Sequence, residues 1–289
     1  MNNTKICLAI DLGAGSGRVV AGIWDGNRLS IDELNRFPNE PVKALDGLHW
    51  DLAQLFSQIK KGIAIAINKF GDSVVSAGVD TWGVDYGLLD SQGKIIASPF
   101  IYRDSRTNGM QEKAFTRMPR AEIYRRTGIQ FMFFNTLFQL LAESDLEGAE
   151  QMLFMPDLLH YLLSGVRANE RSIAGTGQLL DPRSRTWESQ IITSMKFPKK
   201  IFGRLIDAGT ILGPLLPAVA AETGAQKLQV IAPAAHDTAS AVIGVPAAEP
   251  EPVFLSSGTW SLIGRELSAP VISDESLAAA FSNEIGAFG

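Results

Sequence analysis

The residues from Ile6 to Ser30, ICLAIDLGAGSGRVVAGIWDGNRLS, decide the fold of this chain. An apolar run ends at Asp11-Leu12, and Gly13, Ala14, Gly15, Ser16 and Gly17 follow it. Glycine readily adopts positive φ, so we expect this loop to turn its backbone N–H groups toward an anion such as a phosphate. Glycines also serve ordinary hairpin turns, so the loop by itself leaves both interpretations open.

The residues after the loop distinguish a hairpin from a dinucleotide-binding motif. That motif requires a helix directly after its glycines. Here the short β-branched run Arg18–Trp24 leads instead into the turn signal Asp25-Gly26-Asn27. We therefore predict two antiparallel strands around the glycine loop and a third strand after the turn. Asp11 at the strand end is suited to hold hydrated Mg²⁺, although an aspartate there can also bond its own backbone.

Length and composition limit the function classes. The 289 residues allow about two domains, and 46% hydrophobic with 20% charged residues is ordinary for a globular protein. A net charge of −5 and the lack of a basic run argue against a nucleic-acid surface. No signal-type segment or membrane-length apolar run is present, and the single cysteine, Cys7, cannot form an intrachain disulfide. We expect a cytoplasmic α/β protein that contacts neither nucleic acid nor a membrane.

The next part of the chain predicts a helix and a buried strand. Apolar residues recur at helical spacing from Leu52 until Gly71, and the valine-rich run Val74–Val79 reads as a buried strand. That strand ends in the polar and aromatic cluster Asp80–Tyr86. Trp82 and the amide of Gly83 would suit a sugar, but a core tryptophan beside a turn explains this segment more simply.

The later part is mostly helical, and one aspartate in it has the properties of a catalytic base. Helices are predicted to begin at Pro119, Thr136 and Met155. Asp237 precedes the small-residue helix Ala239–Gly244, where we expect it to be the N-cap and to stay ionised at the positive helix end. Phosphoryl transfer has a loose transition state, so a weakly basic aspartate suffices to accept the hydroxyl proton late.

A metal hydrolase is the alternative interpretation of His236-Asp237. It needs more ligands, and the chain has only three histidines. His49 is expected in a loop, and His160 lies among leucines, as a core histidine with its hydrogen bonds satisfied. We therefore reject the hydrolase and expect His236 to contact a substrate hydroxyl.

Four motifs together are specific enough to indicate a family: DLGAGSGR at 11–18, DTWGVDYGLLD at 80–90, AAHDTASAV at 234–242 and LSSGTWSLIG at 255–264. The chain resembles the FGGY carbohydrate kinases. Ala14 and the His-Asp-Thr triplet are typical of the branch that acts on L-rhamnulose. The resemblance implies an actin-like (ribonuclease H-like) α/β ATPase domain with a mixed sheet and flanking helices, followed by the beginning of a second such domain.

The resemblance also implies an activity and roles for single residues. The reaction would transfer the γ-phosphoryl group of ATP, with Mg²⁺, to the 1-hydroxyl of L-rhamnulose. Residues 13–17 would bind the ATP phosphates, Asp11 the metal, and Thr259 would contact ATP from the second domain. Gly83, His236, Asp237 and Thr238 would bind the ketose, with Asp237 as the proton acceptor.

The proline-dense stretch Pro246–Pro252 predicts a domain crossing. We expect a first domain over residues 1–246 and the start of a second over 247–289. The latter is too short to bury a core of its own, so we expect Val253 to Gly289 to be mobile or prone to aggregation and these 289 residues to show little or no kinase activity. Two alternatives stay open, namely a kinase for another ketose or polyol and a sugar-binding protein without turnover.

Overall fold

The opening hairpin lies inside a six-stranded mixed sheet of the computed structural model, which describes residues 4–258 and 261–288. The strands are β1 (Lys5–Leu12), β2 (Ser16–Trp24), β3 (Leu29–Pro38), β4 (Pro41–Lys43), β5 (Leu48–Trp50), β6 (Val74–Thr81), β7 (Tyr86–Leu89), β8 (Gln151–Phe154), β9 (Asn169–Glu170), β10 (Leu180–Asp181), β11 (Thr186–Trp187), β12 (Leu205–Ile206), β13 (Ile211–Pro214), β14 (Gln229–Ile231), β15 (Val253–Ser257) and β16 (Ser261–Arg265). The helices are α1 (Leu52–Phe70), α2 (Met110–Arg117), α3 (Arg120–Thr127), α4 (Thr136–Leu141), α5 (Met155–Ser164), α6 (Arg171–Gly175), α7 (Ser189–Ser194), α8 (Pro217–Thr223), α9 (Asp237–Ile243) and α10 (Asp274–Ala278).

The sheet has the order β13-β14-β6-β1-β2-β3. β1, β2 and β3 form an antiparallel meander, whereas β6 runs parallel to β1 and β14 runs parallel to β6. Side chains alternate along β1, so that Ile6, Leu8 and Ile10 are buried and Cys7 is exposed. The predicted hairpin, third strand and buried strand are therefore confirmed, and the parallel strands bring their carboxyl ends to one edge.

Helix α1 covers one face of this sheet. Leu55, Ile59 and Ile63 recur on its buried stripe, and the Asp51 side chain caps it by accepting from the Gln54 amide at 2.9 Å. A Cβ at Gly62 would lie 2.4 Å from the Val19 side chain, so glycine allows α1 to approach β2 closely. The prediction of this helix is confirmed. Among the described residues no helix is long and apolar enough to cross a bilayer.

In the part of the chain that the structure describes, most buried apolar residues belong to two large hydrophobic clusters. The first joins the sheet to α1, α5 and α8, and the second is built by α2, α3, α4, α6 and α7 around Phe138 and Phe154. The predicted helices near Thr136 and Met155 are confirmed as α4 and α5, and α3 begins one residue after Pro119.

Two histidine expectations need correction. His49 lies in β5 rather than in a loop, where it is buried, contacts the Ser98 carbonyl at 2.8 Å and packs on the Phe100 ring. His160 is a core residue, and its Nε2 accepts from the Val79 amide at 3.0 Å. Its buried Nδ1 has no hydrogen-bond partner in the described part of the chain, so the imidazole is only half satisfied there, and burial lowers its pKa to about 3.

The residues after the proline-dense stretch Pro246–Pro252 form two parts that differ in their packing. β15 and β16 form a separate two-stranded sheet whose Val253, Leu255 and Ile263 are exposed. Residues 271–288 return instead to the helical cluster, where the Tyr124 hydroxyl donates to the Phe281 carbonyl at 2.9 Å. Residues 271–288 thus have packing partners on the helical cluster, and the expected mobility or aggregation of the segment stays a prediction. The division into domains at residue 246 stays a prediction.

Candidate active site

The glycine loop between β1 and β2 is held from outside by Asn39. The Asn39 side chain donates to the Gly13 carbonyl at 2.9 Å, and its backbone amide donates to the Gly15 carbonyl at 3.2 Å. The Gly13 amide donates to the Ser16 carbonyl at 2.9 Å and closes the turn. Within residues 4–258 and 261–288, the amides of Ala14 and Gly15 donate to no protein acceptor. Two adjacent N–H groups are thus free to bind an anion.

The reason for the glycines differs from the predicted one. None of Gly13, Gly15 and Gly17 has positive φ. A Cβ at Gly17 would lie 2.4 Å from the Phe37 ring and 2.7 Å from Leu12, whereas a Cβ at Gly15 would meet nothing within 4 Å. Gly17 therefore permits close packing of the hairpin, and Gly15 leaves the outer side of the loop open.

Three loops leave the sheet at neighbouring points. The Trp82 amide donates to the Leu12 carbonyl at 3.2 Å, and the Thr81 amide donates to the Ala235 carbonyl at 2.9 Å. Thr81 also forms a parallel bridge with His236. These backbone bonds bring the loop after β1, the loop after β6 and the start of α9 to the same edge of the sheet. The segments that carry the predicted site residues 11–17, 83 and 236–238 therefore lie next to one another at this edge.

Carboxyl groups meet at this edge. Asp11 is the register partner of Asp80 on the parallel pair β1–β6. The negative charge of Asp237 raises the pKa of both carboxyl groups. Burial raises the pKa of Asp11, and the Arg18 guanidinium at 3.0 Å opposes that rise. Burial and the neighbouring carboxylates raise the pKa of Asp80 well above its usual range. Asp80, at the end of β6, is therefore a further candidate site residue, and no local sequence pattern distinguishes it from the rest of its motif.

The donor set fits magnesium bound together with phosphates. Among the described residues, no three His, Cys, Asp or Glu side chains form a group that could hold a metal by themselves. Mg²⁺ commonly binds through one or two carboxylates and phosphate oxygens while keeping several waters. Asp11 lies beside the loop with the two free amides, which matches that mode of binding.

The start of α9 differs from the prediction in one respect. His236 is the N-cap, without a side-chain cap bond, and Asp237 is the first helical residue. The Thr238 hydroxyl donates to Asp237 Oδ1 at 3.2 Å, and His236 Nε2 lies 3.4 Å from the same oxygen. Asp237 therefore does not cap the helix with its side chain, and its carboxylate is 37% exposed at the edge of the sheet.

A buried carboxylate clamps the segment before α9. Glu170 Oε2 accepts from the Ala235 amide at 3.0 Å and from the Ser172 hydroxyl. The Ser172 hydroxyl in turn accepts from the His236 amide at 3.2 Å. Glu170 and Ser172 therefore set the backbone that carries His236 and Asp237. The sequence held no local signal for this role, because the clamp spans about 65 residues.

Asp85 organises the loop that contains Gly83. Its buried carboxylate accepts from the indole N–H groups of Trp50 at 2.7 Å and Trp82 at 2.9 Å, and from the Gln139 amide at 2.8 Å. Burial raises its pKa to about 6, against the effect of these hydrogen bonds. Trp82 also stacks on Trp50 at 4.1 Å between centroids, so it is a core residue and not an open sugar platform.

The backbone beside Gly83 is strained. Val84 has a φ of 68°, which is unfavourable for a β-branched residue, and Thr176 and Thr136 hold its amide and carbonyl. A Cβ at Gly83 would lie 3.1 Å from the Thr176 hydroxyl oxygen. These contacts therefore hold the Gly83 backbone in one conformation at the edge of the candidate site. Thr259, the remaining predicted site residue, lies outside the described residues.

Comparison with known proteins identifies the family that the sequence motifs resemble. Residues 6–244 match the family model described as the FGGY family of carbohydrate kinases, N-terminal domain. The chain is 42% identical over 286 residues to a rhamnulokinase of Bacteroides thetaiotaomicron, covering 97% of this chain and 59% of the relative. It is 38% identical over 285 residues to a rhamnulokinase of Oceanobacillus iheyensis, covering 97% and 60%.

Solved structures share the fold at low identity. A ligand-bound xylulose kinase from Lactobacillus acidophilus superposes with a TM-score of 0.82 at 16% identity, over 94% of this chain and 56% of that one. A carbohydrate kinase from Novosphingobium aromaticivorans gives 0.78 at 21% identity, over 93% and 58%. The chain spans about 60% of the length of the curated relatives that it matches.

Proposed function

Because this chain belongs to the FGGY family of carbohydrate kinases, we propose that it carries the ketose- and phosphate-binding half of an ATP-dependent kinase for L-rhamnulose. The observation that carries the proposal is the convergence of the glycine loop and Asp237 at one edge of the sheet. The rhamnulokinase relatives support the choice of ketose.

In the proposed reaction the loop of residues 13–17 binds ATP phosphates through the free amides of Ala14 and Gly15. Asp11 would hold Mg²⁺ together with phosphate oxygens, and the ion would supply positive charge beside the transferred group. Phosphoryl transfer depends mainly on positioning and electrostatic stabilisation, because its transition state is loose. Thr259, in the second domain, is proposed to contact ATP as well.

Asp237 is the proposed proton acceptor for the ketose 1-hydroxyl. Its carboxylate lies at the first position of α9 and is 37% exposed at the edge of the sheet. Gly83, His236 and Thr238 would hold the remaining sugar oxygens. The hydrogen bond from Thr238 and the contact with His236 restrain the carboxylate so that one oxygen can face the hydroxyl.

We also propose the domain division at residue 246 and a cytoplasmic location. The separate β15–β16 sheet supports a second folding unit that begins after the proline-dense stretch. The single cysteine is consistent with a reducing compartment.

Calorimetric titration of this chain tests the proposed function. L-rhamnulose should bind more tightly than L-fuculose, D-xylulose and glycerol, since a wrong epimer leaves buried polar groups unpaired. Mg·ATP should bind to the wild type and more weakly to Asp11→Asn, with Asp72→Asn, an exposed residue far along the chain, as the matched control. Tighter binding of glycerol or xylulose than of rhamnulose would assign the site to another substrate. A second test fuses the C-terminal part of a related kinase to this chain. If the fusion protein binds the ketose but does not phosphorylate it, the result would favour a sugar-binding protein.

A further inference from the structure

Glu284 reaches the candidate active site from the far end of the described chain. Its Oε2 lies 3.1 Å from Nδ1 of His236. His236 is buried, with 7% of its surface exposed, whereas the Glu284 side chain is 38% exposed. Glu284 therefore closes one side of the imidazole, and Nε2 on the other side lies near Asp237.

The backbone around Glu284 is fastened on both sides. The Asn283 amide donates to the Gly128 carbonyl at 2.9 Å, and Ile285 is buried in the second hydrophobic cluster, beside Gly175. Gly128 has a φ of +65°, and a Cβ there would meet Asn283 at 3.0 Å. The Glu284–His236 contact is thus built into the packing of residues 281–285 on α3 and α6.

Carboxyl groups surround the imidazole from each element that packs on it. They are Glu284 after α10, Asp237 on α9, Glu170 on β9 and Asp80 on β6. Burial disfavours the charged imidazole, but Glu284 first and then Asp237 and Glu170 outweigh it and raise the pKa of His236 to about 9. Burial raises the pKa of the Glu284 carboxyl, but the charge and hydrogen bond of His236 more than offset this, so that the Glu284 pKa lies below its ordinary value.

We propose that Glu284 is a positioning residue of the ketose site, which accepts from Nδ1–H of His236 and so keeps Nε2 as a hydrogen-bond donor toward a sugar oxygen beside Asp237. A neutral imidazole with its proton on Nδ1 would present Nε2 as an acceptor instead. The sugar atom recognised there is therefore an oxygen that accepts a hydrogen bond. The ketose part of this inference rests on the proposed function.

The first experiment follows the ring nitrogens of the histidines by long-range ¹H–¹⁵N NMR in the 289-residue chain. Three histidines allow assignment, with His236→Gln identifying the signal of interest. In the wild type His236 should titrate near 9, and in Glu284→Gln at a lower pH, shifted toward the ordinary 6.5, because one of the carboxylates that raise its pKa has lost its charge. Glu266→Gln, which removes the same charge from an exposed position in the segment after β16, is the control and should leave the titration unchanged. Equal titration of wild type and Glu284→Gln would overturn the proposal.

The second experiment measures the Kd of L-rhamnulose at pH 8 and pH 6. At pH 8 Glu284→Gln should weaken binding about tenfold or more, because a charged imidazole donates a stronger hydrogen bond than a neutral one. At pH 6 the variant imidazole is protonated again, so most of the affinity should return. A purely structural defect would weaken binding equally at both pH values.

The two experiments separate the possible failures. If the wild type binds no ketose, the proposed function and the sugar-directed role of Glu284 are both overturned. If it binds ketose and Glu284→Gln binds equally well at pH 8, the role of Glu284 alone is overturned. Glu284→Asp keeps the charge, so it should restore part of the high His236 pKa.

Discussion

Asp11 and Asp80 are register partners on the neighbouring parallel strands β1 and β6. Parallel strands lie about 4.8 Å apart, so the two carboxyl groups leave the sheet edge as close neighbours. Burial raises the pKa of each, and Asp237 raises both further. The edge therefore accumulates acidic groups, which a bound cation would stabilise in the ionised form.

Asp237→Asn tests the assignment of the proton acceptor. In a preparation that phosphorylates L-rhamnulose, kcat should fall by about 10²–10⁴-fold, because the amide keeps the shape but accepts no proton. The Kd for the ketose should change only a few-fold. Steady-state kinetics with Asp72→Asn as control provide the measurement, and a kcat within a few-fold of wild type would refute the assignment.

Gly17→Ala tests the packing role of the loop glycines. The added methyl group would lie 2.4 Å from Phe37, so we expect the free energy of unfolding to fall by about 1–3 kcal/mol through overpacking. Gly15→Ala has open space at the same loop and should change it by less than about 0.5 kcal/mol. Urea denaturation of the two variants compares them directly. Equal losses would show that backbone freedom, and not packing, requires glycine at both positions.

His160→Gln tests the buried imidazole through the pH dependence of stability. The folded pKa of about 3 lies below the unfolded 6.5, so its contribution to stability is complete above pH 6.5 and is lost as the pH falls toward 3. The lost free energy amounts to about 5 kcal/mol at 1.36 kcal/mol for each unit of pKa. The glutamine oxygen can still accept from Val79 but does not titrate, so the unfolding free energy should fall less steeply with acid. Parallel curves for the two proteins would contradict this.

Tyr124→Phe tests how residues 271–288 are held. The change removes the hydroxyl group that lies 3.0 Å from Ser276 and donates to the Phe281 carbonyl, which should weaken local packing by about 1–2 kcal/mol. Limited proteolysis should cleave this segment several-fold faster than in wild type. Tyr161→Phe removes a hydroxyl that donates to the Gly93 carbonyl, and it should leave cleavage after residue 271 unchanged. Unchanged cleavage in Tyr124→Phe would show that other contacts hold the segment.

Elements with strong local signals could be predicted from the sequence. Helix α1 has an apolar stripe, an aspartate cap and a closing glycine, and β6 is a short valine-rich run, so neighbouring residues suffice to specify both. The antiparallel meander follows from the turn at residues 25–27 for the same reason. Local reasoning was wrong about the N-cap of α9, because His236 and Asp237 are adjacent and either can precede a helix.

The sequence by itself determined the elements with strong local signals, the α/β class and, through four motifs, the family to which the chain belongs. Only the tertiary structure decided which side chains support the candidate site. Asn39 on the glycine loop, Glu170 on the segment before α9 and Glu284 on His236 act over 26, 65 and 48 residues of separation, respectively. Such contacts form when sheet and helices pack together, and no periodicity or capping rule within a short window records them.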